Sequence, residues 1–351
     1  MSRILFCCGR NYLPQGFGGI QINTDALCRR LQDRGHHVAV LAGLERDELW
    51  PFLRLASCRL LGRPASTDRV MGYSVYRAYH PNKAFEWVLS LEKPDFIVVQ
   101  SIHMGHYGRI ARNAGIPCFA YFLSAWPYDL GADSAGNLTG FLALSKYLAR
   151  WIHEQFGQSS QVILPVIEKE RFRTNSSQQR VLLVNPHPEK GGMLVVELAR
   201  HFPHVEFDFV ECWYPGEALA SVRVMASTMP NIHWHPPTFD LRQHIGLAKV
   251  LLFPSRETEG WGRIASEVQV SGIPVLATDI GGVSEAVGRG GIMFAVSDGV
   301  DRWAAELSDV LINADRYDAL SRAALQHSER PELAPDFVVD QFIAALHAGS
   351  S

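Results

Sequence analysis

Residues 250–285 read VLLFPSRETEGWGRIASEVQVSGIPVLATDIGGVSE, and the fold is decided in this stretch. Val250, Leu251, Leu252 and Phe253 form an unbroken apolar run, as a strand buried on both faces should. Pro254 and Ser255 end it. Residues 257–262 then make a polar, glycine-bearing loop. A helix is expected from about Gly262, with Ile264, Ala265, Val268 and Val270 among its apolar positions. Gly272 and Pro274 stop it. Val275, Leu276 and Ala277 form the next strand, and a second glycine loop, Gly281–Gly282, follows. A strand–loop–helix–strand–loop unit opens both loops on one edge of a parallel sheet. Open α/β folds bind ligands at that edge.

Two carboxylates stand in this unit, Glu259 in the loop and Glu267 in the helix. At helical rise they lie about 12 Å apart. The carboxylate pair of a glycoside hydrolase needs about 5–9.5 Å, so that chemistry is excluded. The spacing suits the two ends of one elongated polar ligand. The helix N-terminus between them offers N–H groups and a positive dipole end to an anion. A nucleotide-sugar has this layout of sugar, diphosphate and ribose. The same residues also fit two solvated glutamates on a surface helix.

Glu259-Gly-Trp-Gly-Arg-Ile-Ala-Ser-Glu267 resembles the E-x7-E signature of the retaining GT-B glycosyltransferases of family 4. Pro254-Ser255 before it, and Ser271-Gly-Ile-Pro-Val275 and Thr278-Asp-Ile-Gly-Gly-Val-Ser-Glu285 after it, resemble the family in order and spacing. The resemblance implies two doubly wound, Rossmann-like α/β domains facing across a cleft. Residues 1–165 would be the acceptor-side domain and 166–330 the nucleotide-sugar donor domain. Residues 331–351 would form a helix crossing back to the first domain.

Length and composition fit two domains. The chain has 351 residues, 47% hydrophobic and 20% charged. A formal charge of -3 gives no sign of a nucleic-acid partner. Cysteines 7, 8, 28, 58, 118 and 212 contain no CxxC pair, which argues against zinc and against a disulfide framework. A reducing cytosol is the expected compartment. The first apolar run, Ile4 to Cys8, is too short for a signal peptide. No apolar stretch is long enough to span a membrane. Peripheral contact with the inner face of a membrane stays open.

In the first half, Arg3 to Cys8 is expected as a strand, followed by the loop Gly9 to Gly19 and a helix from about Ile20 to Arg34, with Ile22, Leu27 and Leu31 on one face. Val38 to Leu41 is the second strand. The dinucleotide fingerprint G-x-G-x-x-G fails because Gln21 stands where its third glycine would fall. In the family, a Gly-Gly pair in this loop approaches the donor diphosphate, and Gly18–Gly19 match it. Residues 45–63 read as a helix, and Arg54, Arg59, Arg63 and Arg69 as a loose basic group. That group fits either a solvated face or an anionic lipid or phosphorylated acceptor. Further strands are expected near residues 73–76, 95–100, 118–123 and 141–145, and a helix from Lys83 to Glu92. The family usually places a histidine at the end of the strand that here ends in Leu123 and Ser124. This chain has none there. His103 and His106, from the neighbouring strand end, are the candidates for the same space.

Residues 168–179 read as a polar linker. Val181 to Val184 opens the second domain, and Asn185-Pro-His-Pro-Glu-Lys190-Gly-Gly192 follows. Where the family has an arginine and then a lysine on the donor diphosphate, this chain has Asn185 and Lys190. An amide donates a hydrogen bond but carries no charge. Arg256 or Arg263 is expected to supply it. Strands at 207–211 and 232–235, helices at 241–248, 302–314 and 316–327, and a terminal helix at 337–347 complete the reading. Phe337, Val338, Phe342 and Leu346 form the apolar face of that last helix.

The resemblance thus implies a hexosyltransferase-type enzyme. A sugar moves with retention from a nucleoside-diphosphate sugar to a hydroxyl of a glycan, lipid-linked or small-molecule acceptor. Glu259, Lys190 and His103 are the expected catalytic residues. Gly18, Gly19, Asn185, Arg256, Gly260, Trp261, Gly262, Arg263 and Glu267 are expected to bind the donor. Glu259 would hold sugar hydroxyls and Glu267 the ribose. No metal and no cofactor beyond the donor is implied. A GT-B nucleotide-sugar epimerase and a non-catalytic donor-binding protein are the alternatives.

Overall fold

The computed structural model describes residues 1–44, 58, 62–126, 132–212 and 217–349. The expected helix at 45–63, with Arg54 and Arg59, lies outside them apart from Cys58, Gly62 and Arg63, as does Tyr128. The chain divides into two compact units. Met1–Val166 with Pro335–Ser351 forms the first, and Ile167–Ala334 the second.

The first unit is built on β1 (Arg3–Asn11), β2 (His37–Gly43), β3 (Ser66–Asp68), β4 (Ser74–Ala78), β5 (Phe96–Gln100), β6 (Cys118–Phe122), β7 (Gly140–Ala143) and β8 (Gln161–Val162). Their order in the sheet is β3-β4-β2-β1-β5-β6-β7-β8. All pairings are parallel except β3 with β4. The central strands are apolar on both faces because helices cover both sides. The helix Gly19–Asp33 buries Ala26, Leu27, Cys28 and Leu31, whereas Ile22 is only half-buried. The last helix, Pro335–Ala348, turns Val338, Val339, Phe342, Ala345 and Leu346 inward. Phe337 is 45% exposed, so the inward face is shifted from the expected one. Phe342 stacks on Phe6 at 5.9 Å, and Arg34 pairs with Asp336 and Asp340.

The second unit contains β9 (Arg180–Val184), β10 (Glu206–Val210), β11 (Ile232–His235), β12 (Ala248–Phe253), β13 (Val275–Thr278) and β14 (Gly291–Phe294). Their order is β11-β10-β9-β12-β13-β14, and every pairing is parallel. Val181, Leu183, Phe207, Phe209, Val250 and Leu252 make the sheet side of one core. Helices Gly192–His201 and Val300–Ile312 pack against it, with Trp303 stacked on Phe294 at 3.9 Å.

Two expectations are corrected. The helix expected at 241–248 is only Arg242–Ile245, because Gly246 ends it and Ala248 already pairs with Arg180 in the sheet. Residues 168–179 are not a loose linker. They carry a short helix, Lys169–Phe172, with Phe172 buried. Ser271 Oγ donates to Phe172 O and accepts from the Thr174 N–H, which straps the segment to the second unit. Helices Met104–Asn113, Glu217–Ala226 and Val283–Val287 and strand β14 also stand where no element was expected.

Candidate functional site

In the second unit, strand order reverses between β9 and β12. The loops leaving the carboxyl ends of those two strands are therefore neighbours, and such a switch point is where open α/β sheets bind ligands. The β9 loop carries Asn185 and Lys190, and the β12 loop carries Ser255, Arg256, Glu257 and Glu259.

Close backbone approach joins the loops. Gly191 has φ +81, and a Cβ there would fall 2.3 Å from Pro254 O. Only glycine meets both conditions. Arg256 N–H donates to Glu189 O at 2.8 Å. The turn Pro188–Lys190 then sends the Lys190 side chain across to the β12 loop. Its Nζ lies 2.8 Å from Glu259 Oε1 and 3.1 Å from Glu257 Oε2. Ser255, fully buried, donates from Oγ to Glu259 Oε1 at 2.9 Å.

The electrostatics follow from these contacts. Burial opposes the Lys190 charge, but Glu259 and Glu257 outweigh it and hold the ammonium pKa above its ordinary value. Glu189 and Glu257 share a hydrogen bond that pushes the Glu189 carboxyl up and, with help from Lys190, the Glu257 carboxyl down. The result is a lysine held between two acidic side chains of the β12 loop at the mouth of the sheet.

The β13 loop closes on the same place. Gly282 N–H donates to Glu259 O at 2.9 Å. Gly281 has φ +63, and a Cβ there would lie 2.1 Å from that same carbonyl oxygen. Gly281→Ala is therefore expected to cost about 1–3 kcal/mol of stability from left-handed strain alone, and more from the clash. A thermal melt checks this; an unchanged midpoint would mean that the loops yield freely.

The remaining signature residues point elsewhere. Trp261 is buried and donates from its indole N–H to Ser266 Oγ at 2.9 Å. Gly260 is buried. Gly262, at φ +89, packs under Phe253. The helix after it spans Arg263–Gln269. Within it, Arg263 Nη2 lies 3.2 Å from Glu267 Oε1, and both side chains are buried. Burial pushes the Glu267 carboxyl up and the Arg263 guanidinium down, each against the pull of its partner. Arg263 thus directs its charge to Glu267 in this structure. Arg256, the other candidate for the charge on a diphosphate, is exposed in the β12 loop. Asn185 is half-buried in the left-handed region at φ 63, which asparagine tolerates. Its N–H is tied to Val210 O.

The first unit has its own switch point, between β1 and β5. Gly9, near the carboxyl end of β1, lies so close to the loop after β5 that a Cβ would meet Ile102 Cγ1 at 2.3 Å. The Gly18–Gly19 loop and His103 thus leave the same edge. Gly18 is extended at φ -163 and caps the helix Gly19–Asp33. Arg77, buried in β4, donates to Tyr12 O and Leu13 O and pairs with Asp68, which pins the start of the loop. His103 holds φ 65 at the start of helix Met104–Asn113, with Tyr107 edge-on at 6.3 Å. His106 is on that helix, near Asn82 O.

Sequence reasoning gave no role to Ser255, Glu257 or Arg77. The first two sit inside the quoted stretch, but only the fold shows that they reach Glu259 and Lys190.

Comparison with known proteins agrees with this architecture. Residues 18–173 match the glycosyl transferase 4-like domain, and residues 190–313 match the family described as glycosyl transferases group 1. D-inositol 3-phosphate glycosyltransferase 1 of Catenulispora acidiphila is 36% identical over 367 residues, covering 89% of this chain and 86% of the relative. The D-inositol 3-phosphate glycosyltransferase of Thermobispora bispora is 38% identical over 96 residues, 27% of this chain and 22% of the relative. The matched part of such shorter alignments reaches only 32% of the relative in that of Segniliparus rotundus. Among solved structures, Anabaena HepE in complex with UDP-glucose superposes with a TM-score of 0.77 at 14% identity, covering 99% of this chain and 100% of that one. A glycosyltransferase of Rickettsia africae gives 0.77 at 14% identity, covering 99% and 98%. These likenesses show the GT-B fold. No helix among the described residues is long and apolar enough to cross a membrane. With both units matched and one relative aligned over most of its length, the chain belongs to the group 1 glycosyl transferases.

Proposed function

We propose that the chain transfers a sugar, with retention, from a nucleoside-diphosphate sugar to an acceptor hydroxyl. The observation that carries this reading is the contact of Lys190 with Glu259 at the switch point of the second unit. Loss of the diphosphate leaves an oxocarbenium-like sugar, so the main chemical demand is to stabilise the departing negative charge. Lys190 is the cation placed for that role, with Arg256 beside it. Glu259 would hold sugar hydroxyls, and Ser255 fixes its carboxylate. Glu267 is the candidate for the ribose, and the Gly18–Gly19 backbone for the diphosphate. The chemistry calls on no metal and no cofactor beyond the donor.

The HepE complexes carry UDP and UDP-glucose, which makes UDP the first nucleotide to test. The relatives named for D-inositol 3-phosphate make a phosphorylated cyclitol the first acceptor.

A thermal-shift screen of UDP, GDP, ADP, CMP and dTDP tests the donor half. Ligand at about 100 times its dissociation constant adds roughly 2.7 kcal/mol, so a clear shift is expected with one diphosphate. No shift with any of them would remove the donor reading. Product formation with the matching sugar donor then separates the transferase from the alternatives. An epimerase would convert the donor without an acceptor, and a binding protein would leave it intact.

His103→Ala tests the first unit. Turnover is expected to fall while UDP affinity stays unchanged. Full activity would leave His103 as the residue that starts its helix and nothing more.

A further inference from the structure

A second cluster of chemically active side chains lies in the donor unit, on the other side of β9 from β12. Asp208 on β10 is 1% exposed, and two histidines face it. His235, the last residue of β11, places Nε2 2.9 Å from Asp208 Oδ1. His244, buried on the short helix Arg242–Ile245, places Nδ1 3.7 Å from Asp208 Oδ2. The imidazole centroids are 4.5 Å apart. One ligand atom from each of the three residues falls within 4.8 Å of the others.

The two carboxylate oxygens are used unequally. Oδ1 takes His235 and also Arg180, whose Nη1 is 2.5 Å away. Oδ2 is buried and has no hydrogen-bond partner. A buried carboxylate oxygen left in this way costs stability unless something meets it. It is aimed at a histidine that stands beyond hydrogen-bond reach.

We propose that Asp208, His235 and His244 form a binding site for a divalent transition-metal ion of the zinc class. Zinc takes histidine nitrogen and carboxylate oxygen at about 2.0–2.2 Å. Tetrahedral ligands at that radius stand roughly 3.3 Å from one another. Between the assigned ligands, His244 Nδ1 stands 3.7 Å from Oδ2, and the three ligand atoms lie within 4.8 Å of one another, so the rings must draw in on the ion. Asp208 would bind through Oδ2, leaving Oδ1 to Arg180, and His235 would turn its Nε2 from Oδ1 to the ion. The second ring nitrogen of His244 lies 3.3 Å from the Gln243 side-chain amide. With the amide oxygen turned toward it, Gln243 accepts the Nε2 proton and frees the Nδ1 lone pair for the metal. The fourth position would be left to water or a ligand.

The ion would tie the edge strand β11 and the segment 236–244 to β10. Its role is to fix that loop, and the glycosyl transfer does not pass through it. Arg180 disfavours it, because a guanidinium on the same carboxylate repels a second cation. This gives the site an unusual mark: removing Arg180 should tighten it.

The test is metal content and affinity, with no assay of transfer needed. The tagless protein is stripped with EDTA, then titrated with zinc or cobalt(II) and quantified by elemental analysis. About one equivalent is expected, with the visible bands of four-coordinate cobalt. His235→Gln and His244→Gln should each weaken binding at least tenfold, and Arg180→Gln should strengthen it. If the buried His244 variant fails to fold, His235→Gln decides alone, since its side chain is 30% exposed. An intact circular dichroism spectrum qualifies that variant. Failure to bind either metal would overturn the proposal and leave a buried ion network. So would binding that His235→Gln does not change.

Discussion

Lys190→Ala should lower kcat/KM by about 100–1,000-fold, the usual loss when one donor is removed from a developing anion. If the ammonium serves the diphosphate as proposed, the same substitution should weaken UDP far more than uridine. Calorimetric titration of both ligands checks the difference. Equal losses would refute the diphosphate contact. The variant also leaves Glu257 and Glu259 without the cation that both now touch. A melting curve must therefore accompany the kinetics, so that lost fold is not read as lost chemistry. The pH behaviour has a definite sign. Burial lowers the Lys190 pKa, but Glu259 and Glu257 more than reverse this, and the net value stands above the ordinary 10.5. The charge is thus complete at all lower pH and is lost only as pH climbs past that raised value. UDP affinity should not fall between neutral pH and about pH 9 on account of this group.

Glu259→Gln is expected to keep the fold and lose about 10–100-fold or more in turnover, since a hydrogen bond to a charged group contributes about 1.5–3 kcal/mol. The amide still accepts from Ser255 Oγ and Lys190 Nζ through its oxygen, so the loop should remain in place. What changes is the charge opposite Lys190. With Glu259 neutral, the ammonium is shared with Glu257 alone, and UDP binding should hold steady or tighten while transfer falls. That opposition is the mark of a residue acting on the sugar. Wild-type turnover would return Glu259 to a purely structural part.

The second unit was largely legible around residues 250–278, for a physical reason. A four-residue apolar run bounded by Pro254, and another bounded by Gly272 and Pro274, leave few ways to fold other than two buried parallel strands. Lys190 stands out through the family resemblance, supported by the glycine pair after it. Side-chain partnerships were harder. Arg263 and Glu267 stand four apart on a helix, a spacing that brings opposite charges together. That signal was present and foretells the pair. Ser255 and Glu257 carry no such spacing, since their contacts depend on a loop that must double back. Asp208, His235 and His244 lie on three separate elements, and no short motif joins them. Elements such as Val283–Val287 and Gly291–Phe294 are too brief for periodicity to show.

The helix Pro335–Ala348 has a consequence for how this protein is made. Its Phe342 is fully buried against Phe6 and Tyr121, in a sheet whose strands all precede residue 163. On the ribosome, the leading half emerges long before the segment that completes its core, and domains tend to form as they emerge. The second unit has all of its residues in one continuous stretch ending at Ala334, while the first is incomplete without residues 335–348. A chain truncated after residue 334 should therefore show a protease-resistant second unit and a cleavable first one.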